Sequence, residues 1–144
     1  MQVKISLSPE FKDPLAEIHT ESVTEEVQNA VSLLQTEPSL ITAQIDNRIA
    51  VLRPEEIYMV RVEGGDTILY GKAQTYYSRK RLYEIAERLG PGFLQIAKST
   101  LVNLSYLDSV EAGFNGTLLL RLKNGCKDYV SRKYLPAFKQ HLGL

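Results

Sequence analysis

Few side chains in this sequence are placed to do covalent chemistry. The two histidines, His19 and His141, sit near opposite ends of the chain, and Cys126 is the one cysteine. A structural or catalytic metal needs several clustered thiolate, imidazole or carboxylate ligands, so neither a metal site nor an internal disulfide is expected. No G-x-x-x-x-G-K-[ST] or G-x-G-x-x-G run is present to cradle a phosphate. Gly64-Gly65 is too short for that task and suits a hairpin turn. Glu55-Glu56 follows Pro54 and reads as a solvated turn, not as an acid–base pair. No catalytic residue, cofactor or small-molecule substrate is expected.

Binding chemistry remains, and charge points to it. The 17 basic and 17 acidic residues cancel over the whole chain. Residues 1–38 hold two lysines against seven carboxylates, a balance of −5; residues 39–144 hold fifteen cations against ten carboxylates, a balance of +5. An acidic front and a basic back suggest that the back meets a polyanion. Within it, Arg79-Lys80-Arg81 is the densest basic run. It begins a helical pattern, however, where positive charge opposes the helix dipole, and a solvated face accounts for it equally well.

The elements that must carry these groups follow from periodicity. Residues 2–7 alternate as a strand would. Ser22 and Glu25 have capping-box spacing, and Val23, Val27, Ala30, Val31 and Leu34 share one helical face until Pro38 disfavours helical geometry before it. From Leu40 the period is mostly two. Residues 40–45 and 49–52 form a hairpin about Asp46-Asn47. Tyr58, Val60 and Val62 lie on one face of a third strand. Residues 67–72 and 74–77 give two more, beyond the Gly64-Gly65-Asp66 loop. Leu82, Ile85, Ala86 and Leu89 then mark a helix, with Glu84 and Arg88 spaced as an i,i+4 pair and Gly90-Pro91 as its end. A strand over 93–97 precedes an irregular turn or short helix over 99–106. Strands over 107–112 and 117–122 flank Asn115-Gly116, and Asn124-Gly125 leads to a last strand. Such dipeptides favour tight hairpins because both residues tolerate positive φ. Tyr134, Phe138 and Leu142 close the chain on an amphipathic helix, with Pro136 in its first turn.

The run Phe93-Leu94-Gln95-Ile96-Ala97-Lys98-Ser99-Thr100-Leu101-Val102-Asn103 resembles the signature of the LytTR family of DNA-binding domains. Phe114-Asn115-Gly116, Leu122-Lys123-Asn124-Gly125 and Val130-Ser131-Arg132-Lys133-Tyr134-Leu135 follow in the family's order and spacing. Each motif is weak alone, but their succession is specific. The likeness extends less sharply upstream through Ile57-Tyr58 and Arg81-Leu82-Tyr83, and is strongest to short stand-alone members. It implies a mainly β fold with a few helices, an elongated array of short, mostly antiparallel sheets over residues 39–144. Residues 1–38 would be a strand-helix extension, regulatory or dimer-forming.

The resemblance also implies a function. Loops, not a helix-turn-helix, would read the major groove of double-stranded DNA in bacterial transcription control, at paired direct repeats. The implied contacts are the loop around Asp66 and Thr67, the Lys98-Ser99 turn, and Ser131-Arg132-Lys133. Lys98 should stand at an exposed strand end. Arg132 should lie beside a helix start, where the Ser131 hydroxyl and free amides can hold a phosphate while the guanidinium reaches a base edge. Gln95 and Ala97 replace the Arg and His of many members, which suggests fewer backbone contacts. An aspartate at position 66 repels phosphate but could accept from a cytosine amino group.

Partners implied by the family are a homodimer mate and a small integral-membrane protein that restrains short members. The N-terminal stretch lacks the continuous apolar region of a secretory signal, and no apolar run approaches the ~20 residues of a membrane span, so a cytoplasmic protein is expected. With 38 residues ahead of the DNA-binding part, no receiver domain and no activation by aspartyl phosphorylation are expected. Two other readings stay open. Tyr70, Tyr76, Tyr77 and Tyr83 among cations could stack bases in an RNA- or single-strand-binding domain, and a protein-binding module would need no nucleic acid.

Overall fold

The computed structural model describes residues 1–12, 14–34 and 40–144. The chain divides into two units, Met1–Glu37 and Pro38–Leu144. In the first, residues 2–7 form no strand, and Val3, Ile5 and Leu7 stand exposed. Alternation marks a strand only where a partner supplies the ladder bonds that its amides and carbonyls require, and none of the described residues pairs with it. Helix α1 spans Glu25–Leu34. Its cap is Thr24, whose Oγ1 accepts from Val27 N at 3.3 Å, not the expected Ser22–Glu25 box. Val27 is its buried residue, while Val23 and Leu34 remain exposed. The expected stop at Pro38 lies outside the described residues.

The second unit is mainly β. It runs β1 (Ile41–Ile45), β2 (Arg48–Leu52), β3 (Met59–Glu63), β4 (Asp66–Tyr70), β5 (Thr75–Ser78), α2 (Leu82–Leu89), β6 (Phe93–Ala97), β7 (Thr100–Asn103), β8 (Leu107–Ala112), β9 (Leu118–Leu122), β10 (Lys127–Val130) and α3 (Leu135–Leu142). Seven strands form one sheet in the order β2-β1-β5-β4-β3-β7-β6, and three form another, β10-β9-β8. All pairings are antiparallel. Strands separate the three helices from one another, so no helix-turn-helix pair occurs among the described residues.

Two apolar clusters hold the sheets. One packs α2, through Ile85 and Leu89, on Ile41, Leu52, Val60, Leu69 and Leu101. The other gathers Met59, Ile96 and Val102 from the large sheet, Leu120, Leu122 and Val130 from the small one, and Phe138 from α3. A ring stack and a side-chain bond help join the sheets, and a further bond ties β7 to the segment before β3. The Tyr58 and Tyr106 rings stack with centroids 3.8 Å apart, Asn124 Nδ2 donates to the Gly71 carbonyl at 2.9 Å, and Asn103 Nδ2 donates to the Ile57 carbonyl at 2.9 Å.

Two local expectations are corrected. Residues 100–103, expected as turn or short helix, are strand β7, buried at every position. It lies between β3 and β6 with both faces covered, so its residues cannot alternate in polarity. Glu84 and Arg88 do not pair. Glu84 Oε2 instead accepts from the Arg81 amide at 3.2 Å and caps α2, and Arg88 donates to the Leu40 carbonyl at 3.4 Å. A helix-start amide with no intrahelical acceptor competes well for a carboxylate three residues on.

Candidate nucleic-acid interface

Antiparallel register decides which turns share an end of the sheet. Glu63 pairs with Asp66, which closes β3 and β4 over Gly64-Gly65. Arg61 pairs with Thr100, so β7 begins at the same end where β3 finishes. Ala97 pairs with Thr100, which puts the Lys98-Ser99 turn there too. The amide of Val62 donates to the Ser99 carbonyl at 2.9 Å and ties the two turns together. The third segment arrives from the other sheet: Ser131 N donates to the Ile96 carbonyl at 2.9 Å, two residues before Lys98. Three stretches separated by some thirty residues each in sequence thus meet at one end of the unit.

Each turn is built from local chemistry. Gly64 and Gly65 adopt φ of 58° and 87°, a left-handed pair that a side chain would strain. Gln95 Nε2 donates to the Lys98 carbonyl at 3.3 Å, so the neutral residue at that position props the turn. After Val130 the chain turns through Arg132 and Lys133, closed by Tyr134 N donating to the Ser131 carbonyl at 3.0 Å, before α3 starts at Leu135. The Ser131 amide is already bonded to Ile96, and Arg132 lies in the turn before α3, so it does not stand beside the free amides of the helix start.

The side chains divide by exposure. Asp66, Lys98, Arg132 and Lys133 are exposed, and Ser99 and Ser131 are partly buried. Thr67 is different: it is 3% exposed, and its hydroxyl donates to the Lys80 carbonyl at 2.8 Å. Lys133 Nζ lies 5.5 Å from the Tyr134 ring centroid, within cation–π range. The Arg132 stem passes beside the Asn115-Gly116 turn, where a Cβ added to Gly116 would meet Arg132 Cδ at 3.7 Å. Among the described residues, no carboxylate lies within 4.0 Å of the Lys98, Arg132 or Lys133 nitrogens.

Two carboxylates near this end, Glu63 and Asp128, are held by one cation, Arg61. Arg61 bonds Glu63 and donates to the Tyr70 hydroxyl at 3.1 Å, while Tyr70 donates to Glu63 Oε2 at 2.9 Å. Arg61 also reaches Asp128 at 3.5 Å, and Thr100 Oγ1 donates to the same Asp128 oxygen at 2.9 Å. Burial works against the Arg61 charge, but its bond to Glu63 and the neighbouring Tyr70 and Glu63 outweigh this and hold its pKa above the ordinary value. The network joins β3, β4 and β7 to β10. Burial also pushes the Cys126 thiol up from its ordinary value, which disfavours the reactive thiolate.

Sequence reasoning missed how Arg79-Lys80-Arg81 relates to these turns. Thr67 pairs with Ser78, so the residues after β5 also emerge at this end. They line an open groove of about 810 Å³ together with Gly65, Gln95 and Lys98. The run itself was visible in the sequence; its neighbourhood depends on sheet register. The tyrosines form no common platform. Tyr70 is tied into the Arg61 network, Tyr76 is partly buried, and Tyr77 and Tyr83 are exposed. No described helix is long and apolar enough to cross a membrane.

Comparison with known proteins gives a consistent result. The family model for the LytTr DNA-binding domain matches residues 47–143. The sensory transduction protein LytR of Streptococcus agalactiae is 36% identical over 104 residues, covering 72% of this chain and 42% of that protein. An uncharacterized HTH-type transcriptional regulator of Staphylococcus aureus is 26% identical over 147 residues, covering 100% of this chain and 99% of its own length. The chain spans less than half of the LytR protein and nearly all of the staphylococcal one. A solved LytTr DNA-binding domain from Bacillus cereus shares the fold, with a TM-score of 0.68 at 22% identity over 75% of this chain and 100% of that domain.

Proposed function

The chain belongs to the LytTR family of DNA-binding domains, and from that premise we propose that it is a bacterial transcription regulator that binds double-stranded DNA sequence-specifically through the converging turns. The observation that carries this reading is the meeting of Lys98, Arg132 and Lys133, exposed and without carboxylate partners among the described residues, at one end of the two sheets. Phosphates supply most of the affinity for DNA, and base edges supply specificity.

Arg132 reads a base. Its planar fork matches guanine O6 and N7, which an ammonium cannot do. Lys98 and Lys133 meet phosphate, and the Ser99 and Ser131 hydroxyls add hydrogen bonds to the backbone. Asp66, exposed beside the Gly64-Gly65 turn, accepts from a cytosine amino group or makes no contact. Thr67 holds its neighbours in place and does not touch DNA, given its burial. Turns enter the major groove at paired direct repeats. The first 38 residues act as a regulatory or dimer-forming appendage in the cytoplasm, with a second copy of the chain or a small integral-membrane protein as partner.

Two measurements test this. With about four to six phosphates neutralised per protomer, log K for duplex DNA should fall against log salt with a slope of roughly −4 to −5. A flat response would sink the reading. Removing the appendage, in a chain beginning at Ser39, should alter DNA affinity or self-association while the remaining residues stay folded. Identical behaviour in both assays would deny the appendage either role.

A further inference from the structure

Arg79-Lys80-Arg81 is held in place more firmly than a solvated face requires. Lys80 donates its amide to Ser78 Oγ at 3.1 Å, and its carbonyl accepts from buried Thr67 Oγ1 at 2.8 Å. The Arg81 amide is bonded to Glu84 Oε2 at 3.2 Å. The backbone of the run is thus fixed on both sides, and the β4–β5 register fixes its position beside the Gly64-Gly65 turn. All three side chains are exposed, and among the described residues no carboxylate lies within 4.0 Å of them. Among the described residues, Glu87 is the only acidic one lining the groove they share with Lys98.

The three cations crowd the start of α2, where the helix dipole presents its positive end. Glu84 in the first turn of α2 offsets part of the positive charge here, but its carboxylate is engaged by the Arg81 amide. A bound polyanion relieves the mutual repulsion and the clash with the dipole that remain. We propose that Arg79 and Lys80, with Arg81, form a second phosphate clamp that grips the DNA backbone flanking the bases met by the Lys98 and Arg132 turns, and that Thr67 is its positioning residue. The clamp rests on the proposed duplex binding and extends its footprint on one side. It is blind to sequence, since a phosphate presents the same oxygens at every step.

The test uses the full chain and a duplex selected from a random pool by the wild-type protein, in a long form and in forms trimmed from either flank. For R79A/K80A, affinity for the selected duplex and for its scrambled counterpart should fall by a similar factor. The salt slope should flatten by about two units, at ~0.9 per lost phosphate contact. Trimming one flank should abolish the difference from wild type; trimming the other should not. Thr67→Val should reproduce part of the slope change. The melting temperature of R79A/K80A should stay level or rise, because repulsion at the helix start is removed. An unchanged slope on the long duplex overturns the clamp. So does a melting temperature that falls, which would make the run structural. So does a change confined to the selected sequence, which would make it a base reader. If wild-type binding persists in such cases, and Arg132→Ala still reduces discrimination, only the clamp fails. If the wild type shows no salt-dependent duplex binding, the functional reading fails and the clamp with it.

Discussion

Replacing Phe138 with alanine is expected to lower the unfolding free energy by about 3–5 kcal/mol. Phe138 is 0% exposed and is the largest fully buried side chain. It sits where α3 meets both sheets, among Ile96, Val102, Leu120 and Val130. Interiors are close-packed, so the lost ring leaves a cavity that its neighbours fill only in part. The loss is a large share of a total stability of ~5–15 kcal/mol. Its position adds a functional consequence, because α3 follows directly on the turn that carries Arg132. Denaturant unfolding should show a lower midpoint with an unchanged slope. A loss below ~1 kcal/mol would mean that Phe138 does not anchor the helix.

Arg132→Ala should act oppositely, with DNA recognition lost and the fold kept. A bidentate pair with guanine contributes about 1–3 kcal/mol of discrimination, or roughly 5- to 150-fold in affinity for the selected duplex. Arg132 is exposed, and its stem lies beside Gly116 without an ion pair among the described residues. Surface substitutions of this kind change stability by within ~0.5 kcal/mol. Arg132→Lys should rescue poorly, because the charge returns without the fork. Lys98→Ala provides the contrast. If Lys98 meets only phosphate, all sequences should weaken alike and the salt slope should flatten by about one unit. Melting curves recorded beside the affinities separate the two kinds of loss. A large fall in melting temperature for Arg132→Ala would make Arg132 structural.

Elements with a local cause were legible in the sequence. The Asn115-Gly116 turn is one: both residues take positive φ, 53° and 76°, and Asn and Gly tolerate this best. The helical faces of α2 and α3 are another, because Ile85, Leu89 and Phe138 recur at helical spacing and are buried. What depends on distant partners was not legible. Strand β7 lacks alternation because both its faces are covered, whereas residues 2–7 alternate and find no ladder. Thr67 opens the expected strand beside the Gly64-Gly65-Asp66 loop and is implied there as a DNA contact, yet the β4–β5 pairing turns its hydroxyl inward onto Lys80. The same pairing carries Arg79-Lys80-Arg81 to the end that holds Lys98. Spacing in sequence cannot reveal a neighbourhood made by sheet register.

The most direct test of sequence-specific duplex recognition is a ratio of affinities. Wild type and Arg132→Ala are each titrated, at one fixed salt concentration, against the selected duplex and a scrambled duplex of equal length and composition. Wild type should prefer the selected duplex by about a thousand-fold or more, as specific DNA-binding proteins do. Arg132→Ala should lose roughly 5- to 150-fold of that preference and bind the scrambled duplex almost as wild type does. Equal affinity of the wild type for both duplexes, or an undiminished preference in a folded Arg132→Ala protein, would contradict the account.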